Sequence, residues 1–277
     1  MLDHPGLFLR PIHRFRKEKM TEVTDVLAVE EPLDVRIGRR SVAITMRTPG
    51  RDVDLALGFL FSEGIIRAGS QAFRLRSAEV KVKLGKDNVV TVHLPPGETV
   101  DWGRLERHSY TSSSCGVCGK TSLAQVFAAV PFAESLTTFR VAPAILQSLP
   151  DKLRTAQELF DQTGGIHAAG LFDLVGNLRH FAEDVGRHNA LDKLIGHHFA
   201  QDALPLDNHL LLLSGRASFE LIQKAAMAGI GLVAAVGAPS SLAASLADEL
   251  GITLCGFTSE RGFNCYTHPG RIDQVGG

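Results

Sequence analysis

From residue 210 onward the chain keeps to one alternation that few folds can accommodate. Apolar runs at 210–214, 231–235 and 253–257 are separated by helical patterns at 219–228 and 240–250. Short apolar strands joined by helices imply a mainly parallel sheet covered on both faces. Upstream, 170–175 and 179–182 read as a hairpin about Gly176-Asn177, followed by a helix over 187–199. Two further helices are expected at 143–149 and 151–163, the first with Pro143 in its opening turn and the second capped by Asp151. Leu123, Val126 and Phe127 give 120–130 a helical period as well. The expectation is an α/β, three-layer domain over 121–277.

The first part of the chain has a different texture. Alternating apolar residues at 23–29, 33–37, 41–47, 78–84 and 88–94 predict antiparallel strands, with turns at Gly38-Arg39 and 85–88. One helix interrupts them. Asp52 and Asp54 flank its start, Leu55, Phe59 and Ile66 share a face, and Gly64 weakens its end. Pro95-Pro96-Gly97 closes this β-rich part, taken as 21–100, and a polar loop over 101–120 leads to the first cysteines.

Charge excludes some functions. Lys and Arg number 29 against 30 Asp and Glu, so there is no basic surplus for nucleic acid or an anionic membrane. Arg10, Arg14, Arg16, Lys17 and Lys19 crowd the start beside His13, and 1–20 reads as a solvated basic tail. Pro5 and Pro11 interrupt anything resembling a secretory signal. The most apolar stretch, 225–247, is broken by Pro239-Ser240-Ser241, which argues against a membrane helix. A cytoplasmic location is expected, where Cys115, Cys118, Cys255 and Cys265 stay reduced.

Cys115-Gly116-Val117-Cys118 admits three chemistries: half of a zinc site, a dithiol redox pair, or a reactive sulfur centre. Cys255 and Cys265 make a poor second zinc pair, and Cys255 sits in an apolar run that suggests core packing. Cys115 follows Thr111-Ser112-Ser113-Ser114, has Gly116 and Gly119 beside it, and precedes an expected helix start near Lys120. A helix N-terminus and a nearby lysine both favour thiolate, the nucleophilic form.

Other clusters fall at strand ends. Gly164-Gly165-Ile166-His167 places His167 at the mouth of a strand. Glu183-Asp184-Val185-Gly186-Arg187-His188-Asn189 lies between strand and helix. There Asp184 is a candidate cap and Arg187 and His188 are placed to project over the strand ends, while Glu183, Asp184 and Arg187 read equally well as an ordinary helix-start ion network. Asp192 and Lys193 continue it in a surface-like way. Ser214-Gly215-Arg216 offers a helix N-terminus with Arg216 as a phosphate fork, though without the Gly-Lys-Ser/Thr ending of a P-loop. Thr258-Ser259-Glu260-Arg261-Gly262 follows the last parallel strand as a loop placed to close over a ligand. Together these loops favour a phosphate-bearing ligand at the carboxyl edge of the sheet.

The blocks Ser114-Cys115-Gly116-Val117-Cys118-Gly119, Thr163-Gly164-Gly165-Ile166-His167-Ala168-Ala169 and 183–193, with Ser214-Gly215-Arg216 and Asn264-Cys265-Tyr266-Thr267-His268-Pro269, resemble the formate dehydrogenase accessory sulfurtransferase family, FdhD. The resemblance runs from about Thr21 onward. It implies a sulfur carrier that takes sulfur from a cysteine desulfurase and passes it to the bis-molybdopterin guanine dinucleotide of formate dehydrogenase. Cys115 would bear the persulfide, with Cys118 as its partner. Phe257, Thr258, Ser259, Glu260, Arg261 and Gly262 would hold the guanine-nucleotide part, with His167 and Arg216 as further cofactor contacts. It also implies a cytidine-deaminase-like core, a cytoplasmic homodimer, and no resident metal. One position departs: Ser259 stands where a basic residue is expected two places after Phe257, and Arg261 comes later.

Rival readings are weaker. A zinc nucleoside deaminase needs a His-x-Glu segment and a Pro-Cys-x-x-Cys segment. Here Ala168 and Ala169 follow His167, Ser114 replaces the proline, and the cysteines precede the histidine. A dithiol oxidoreductase would place the pair at a thioredoxin-like strand-to-helix start. A cofactor chaperone without sulfur chemistry would keep the anion-binding loops and not require Cys115.

Overall fold

The computed structural model describes residues 4–66, 82–83, 88–94, 130–131 and 139–273. Cys115, Cys118 and the helix expected over 120–130 lie outside the described residues.

Strands β1 (Leu7–Arg16) and β2 (Lys19–Ala28) form a two-stranded antiparallel arm. This corrects the basic tail. Leu7 pairs with Ala28 and Arg16 with Lys19, and Lys17 and Glu18 turn the chain with φ of 45° and 62°. Two successive positive φ values mark the hairpin turn whose twist matches that of the strands. The arm leaves Phe8, Leu9, Phe15 and Met20 exposed.

A second sheet has the order β4-β3-β6-β5, from β3 (Glu31–Ile37), β4 (Arg40–Arg47), β5 (Val82–Lys83) and β6 (Val89–Val92). Leu33, Val35 and Ile37 alternate inward and meet Val90 and Val92, as the period of two requires. Helix α1 (Asp52–Ser62) covers that face with Leu55, Leu60 and Phe61.

The third sheet has six strands in the order β12-β11-β10-β9-β7-β8. They are β7 (His167–Asp173), β8 (Leu178–Asp184), β9 (His209–Leu213), β10 (Leu232–Ala235), β11 (Thr253–Ser259) and β12 (Gly262–Thr267). Leu211, Leu213, Val233 and Ala235 point into one core with α4 (Arg187–Ala200), α5 (Phe219–Met227) and α6 (Ser241–Glu249). Leu210, Leu212, Leu232 and Ala234 point into the other, under α2 (Pro143–Ala156). The unbroken leucine run of β9 is therefore two faces of one doubly covered strand. The protein is a mixed α/β fold, three-layered about this sheet.

Two expectations change. The sheet is not mainly parallel: β9, β10 and β11 pair in parallel, but the β7–β8, β7–β9 and β11–β12 pairs are antiparallel, with short turns joining β7 to β8 and β11 to β12. The residues after 257 are thus strand, turn and strand rather than a free loop. Helix α2 also runs through Pro150 and ends at Ala156, where α3 (Glu158–Thr163) begins. Leu146, Leu149 and Leu153 bury one continuous stripe, which offsets the hydrogen bond that proline removes.

Helices α1 and α4 touch backbone to backbone. A methyl group on Gly58 would overlap the Asp192 carbonyl, and one on Gly196 would overlap that of Asp54. This contact locks the N-terminal sheet and its helix onto the six-stranded layer. No described helix is long and apolar enough to cross a membrane.

Candidate functional site at the sheet edge

Because β7 and β12 run against β9, β10 and β11, their first residues stand at the same edge as the ends of the parallel strands. That edge gathers His167, Ser214 to Arg216, Val236 to Ala238, and the β11–β12 turn. Main-chain hydrogen bonds stitch these loops together beyond the strands. Ser214 N donates to Ala168 O (3.0 Å), Gly237 N to Gly215 O (2.9 Å) and Phe257 N to Gly237 O (3.2 Å). Ala168 N in turn donates to Ser214 Oγ (2.8 Å). The close stacking needs small residues. A Cβ on Gly256 would stand 2.7 Å from Pro239 Cδ, and one on Gly215 would stand 3.3 Å from the His167 ring.

His167 is half-buried opposite Asp184 in the β7–β8 register. Burial, and then the Arg187 charge, lower its pKa against the opposing Asp184 charge. A neutral imidazole at neutral pH follows. Arg216 is exposed beside Gly237. Phe257 has a φ of 54° and is 53% exposed. A bulky residue in the left-handed region is uncommon and costs roughly 1–2 kcal/mol. Here that conformation turns an aromatic ring outward at the edge instead of into the core.

Two polar atoms here are buried without a hydrogen-bond partner among the described residues, Arg187 Nε and Thr258 Oγ1. Buried polar groups are nearly always paired, so both atoms stand out at this edge. Ser259, by contrast, is used structurally: its Oγ donates to Gly262 O across the turn (3.2 Å). Glu260 shares a hydrogen bond with Asp151 of α2, which, together with their repulsion, raises its pKa. It is therefore directed toward α2. Arg261 is exposed at the turn. The structure brings His167, Arg216, Phe257, Thr258 and Gly262 to one edge and sets Ser259 and Glu260 to other tasks.

The 183–193 block turns out to be mostly framework. Asp184 is completely buried and accepts from Lys193 Nζ (2.7 Å), Thr48 N (3.1 Å), Gly186 N (2.8 Å) and Asn189 Nδ2 (3.1 Å). Asn189 also reaches Met46 O (2.7 Å), and Lys193 reaches Thr48 O (2.9 Å). Glu183 accepts from Leu159 N and Phe160 N in the first turn of α3. The surface reading of Asp192 and Lys193 is overturned: both are 2% exposed. Asp192 meets Lys224 Nζ (3.0 Å) and Ser62 Oγ (2.8 Å) beside the α1–α4 contact. Burial raises the Asp192 pKa to about 6 against the pull of Lys224. Burial lowers the Lys224 amine, but the Asp192 and Glu63 charges outweigh it and leave it raised. Both partners are ionised at neutral pH.

The ion network expected of Glu183, Asp184 and Arg187 is thus replaced by Asp184 with Lys193, which leaves Arg187 over. The sequence allows Arg187 either role, in that network or over the strand ends, and its Nε is left unpaired among the described residues. Among the described residues, no group of three or more His, Cys, Asp or Glu side chains is placed to hold a metal ion.

The sequence profile of the FdhD/NarQ family matches residues 28–273. The chain belongs to the FdhD/NarQ family. It is 50% identical over 254 residues to a sulfur carrier protein FdhD of Mycolicibacterium paratuberculosis, covering 91% of this chain and 92% of that one. A protein of the same name from Streptomyces avermitilis is 47% identical over 266 residues, with 95% and 94% covered. One from Sulfolobus acidocaldarius is 40% identical over 269 residues, with 94% and 99% covered. The crystal structure of a putative formate dehydrogenase accessory protein from Desulfotalea psychrophila matches the fold with a TM-score of 0.74. It is 23% identical, over 97% of this chain and all of that one. The fold and the general sulfur-carrier role of this FdhD/NarQ member follow from family membership.

Proposed function

We propose that this protein carries sulfur on Cys115 as a persulfide and delivers it to bis-molybdopterin guanine dinucleotide, whose guanine-nucleotide part it holds at the sheet edge. The donor is a cysteine desulfurase and the beneficiary is formate dehydrogenase. In the loading step the Cys115 thiolate attacks the terminal sulfur of the donor persulfide. A new sulfur–sulfur bond forms at Cys115 and the donor cysteine leaves as thiolate. In delivery, the Cys118 thiolate attacks Cys115 Sγ and expels the terminal sulfur as hydrosulfide to the acceptor. The resulting Cys115–Cys118 disulfide is reset by a dithiol reductant.

The observation that carries the ligand half of this reading is the exposed Phe257 ring, held at positive φ on the sheet edge, where its N–H meets Gly237, the residue packed against Arg216. An outward aromatic ring is a stacking platform for a nucleobase, and a guanidinium forks phosphate oxygens. The sulfur half is supported by the names of the relatives and by the Cys-x-x-Cys setting. On this reading the protein is a sulfurtransferase that works as a homodimer in the cytoplasm.

The test is the intact mass of the reduced protein after incubation with a cysteine desulfurase and cysteine, followed by alkylation and peptide mapping. One added sulfur on the Cys115 peptide, absent from Cys115→Ala, is expected. No added sulfur under conditions that load another acceptor would overturn the persulfide step and leave a cofactor chaperone as the better account.

A further inference from the structure

Two cysteines that the sulfur-carrier reading does not use face each other across the outer hairpin. Cys255 on β11 and Cys265 on β12 are direct Cα partners in the antiparallel pair. Partners in this register project to the same face, with Cα atoms about 4.5–5.5 Å apart. A disulfide needs a Cα separation of about 4.4–6.8 Å. The two thiols are not joined. Register shifts fall between Leu254 and Cys255 and between Gly256 and Ser259, so the ladder is interrupted on both sides of the pair and has room to adjust.

Their surroundings are opposite. Cys255 is completely buried among the apolar residues under α2, whereas Cys265 is exposed on the edge strand. The hydrogen bond between the two thiols, backed by burial, raises the Cys255 pKa. The same bond lowers that of Cys265 to about 7, with burial opposing. In its protonated form Cys265 donates to Thr267 O at 3.3 Å. One thiol is thus accessible and readily ionised, and the other is shielded and holds its proton. That division matches an attacking and a resolving cysteine.

We propose that Cys265 and Cys255 form a second thiol site, separate from Cys115 and Cys118, that reduces small-molecule disulfides by closing a cross-strand disulfide. The Cys265 thiolate attacks one sulfur of the disulfide, forming a mixed disulfide and releasing the first thiolate. Cys255 then passes its proton to a departing thiolate and attacks Cys265 Sγ, expelling the second. The protein loses two electrons, and the small disulfide gains them and becomes two thiols. The order is fixed, because Cys255 has no access to the reagent.

The test uses the full chain carrying Cys115→Ser and Cys118→Ser, treated with dithiodipyridine, which releases a coloured thione at each exchange. Release of both halves of the reagent per protein is expected, with a Cys255–Cys265 peptide on mapping and a rate that rises through pH 7. Adding Cys265→Ser, a change on the exposed strand, abolishes the reaction of the folded protein. Adding Cys255→Ala stops it at a mixed disulfide on Cys265, with half the release. Where Cys255→Ala fails to fold, the Cys265→Ser variant and the peptide map decide alone. A mixed disulfide that persists on Cys265 with Cys255 present would overturn the proposal, as would undiminished release from Cys265→Ser.

Discussion

Replacing Asp184 by alanine is expected to destabilise this protein severely without touching a reacting atom. The carboxylate is fully buried and accepts from the Lys193 amine, two main-chain N–H groups and the Asn189 amide. Removing one member of a buried ion pair costs about 3–5 kcal/mol, because the other charge stays buried without compensation. The three neutral donors lose their acceptor as well, at up to ~1–3 kcal/mol each where water does not reach them, though these losses do not simply add. A native domain has only about 5–15 kcal/mol in total. Urea unfolding of Asp184→Ala should therefore give at least about 3 kcal/mol less than the parent. Adding Lys193→Met removes the stranded cation, and the double variant should recover about 1–3 kcal/mol through the coupling between neighbours. A loss below about 1 kcal/mol in Asp184→Ala, or no recovery in the double variant, would refute the view of this block as framework.

Three further outcomes follow from the same geometry. His180, His188 and His198 have pKa values lowered to about 3, 4 and 4, by burial first and by neighbouring positive charge second. Unfolded histidine titrates near 6.5, so their contribution is present above about pH 6.5 and is lost as pH falls toward 4. Asp192, raised to about 6 by burial, acts in the opposite direction over that window but is one group against three. The urea midpoint should fall between pH 7 and pH 5, and an unchanged midpoint counts against the assignment. Phe257→Gly relieves a left-handed φ of 54° and should leave stability unchanged or raise it by up to about 1 kcal/mol. The same variant should weaken guanosine diphosphate binding by about 1–3 kcal/mol of lost stacking, read by calorimetric titration; undiminished binding would remove Phe257 from the site. Gly58→Ala pushes a methyl group into the Asp192 carbonyl across the α1–α4 contact and should cost at least about 1–3 kcal/mol in thermal unfolding.

How much of this was legible in sequence depends on whether the deciding interaction is local. The strands and helices from 209 to 257 follow from periodicity, since β9, α5, β10 and α6 bury faces that alternation alone predicts. Strand β2 falls on the strand expected at 23–29, but β1 and the turn escape the pattern because Lys17-Glu18 lacks the Asn-Gly signature, and because the exposed Phe8, Leu9 and Phe15 supply no one-sided pattern. The break at Pro150 was misplaced because the stripe of Leu146, Leu149 and Leu153 outweighs one missing hydrogen bond, a tertiary effect. His167 and Arg216 fall at the strand ends where the sequence places them, but nothing local says that β11 runs past Phe257, that Ser259 closes its own turn or that Glu260 leans on Asp151.

The 183–193 block is the most instructive case. Its density of charge reads as chemistry, yet Asp184, Asn189, Asp192 and Lys193 are buried and bonded to Met46, Thr48 and Ser62, residues about 130 or more positions away. Hydrogen-bond partners that far apart in sequence cannot be matched by inspection. Arg187 is the member the network leaves without a partner for its Nε, beside His167 at the sheet edge. The block therefore divides in two: its buried members fix the N-terminal sheet to the edge, and the half-buried Arg187 is left with its Nε unpaired among the described residues. If so, Arg187→Lys should keep the urea midpoint of the parent yet weaken guanosine diphosphate binding, because an amine cannot replace a fork of donors. A variant that lost stability and kept its affinity would return Arg187 to the framework.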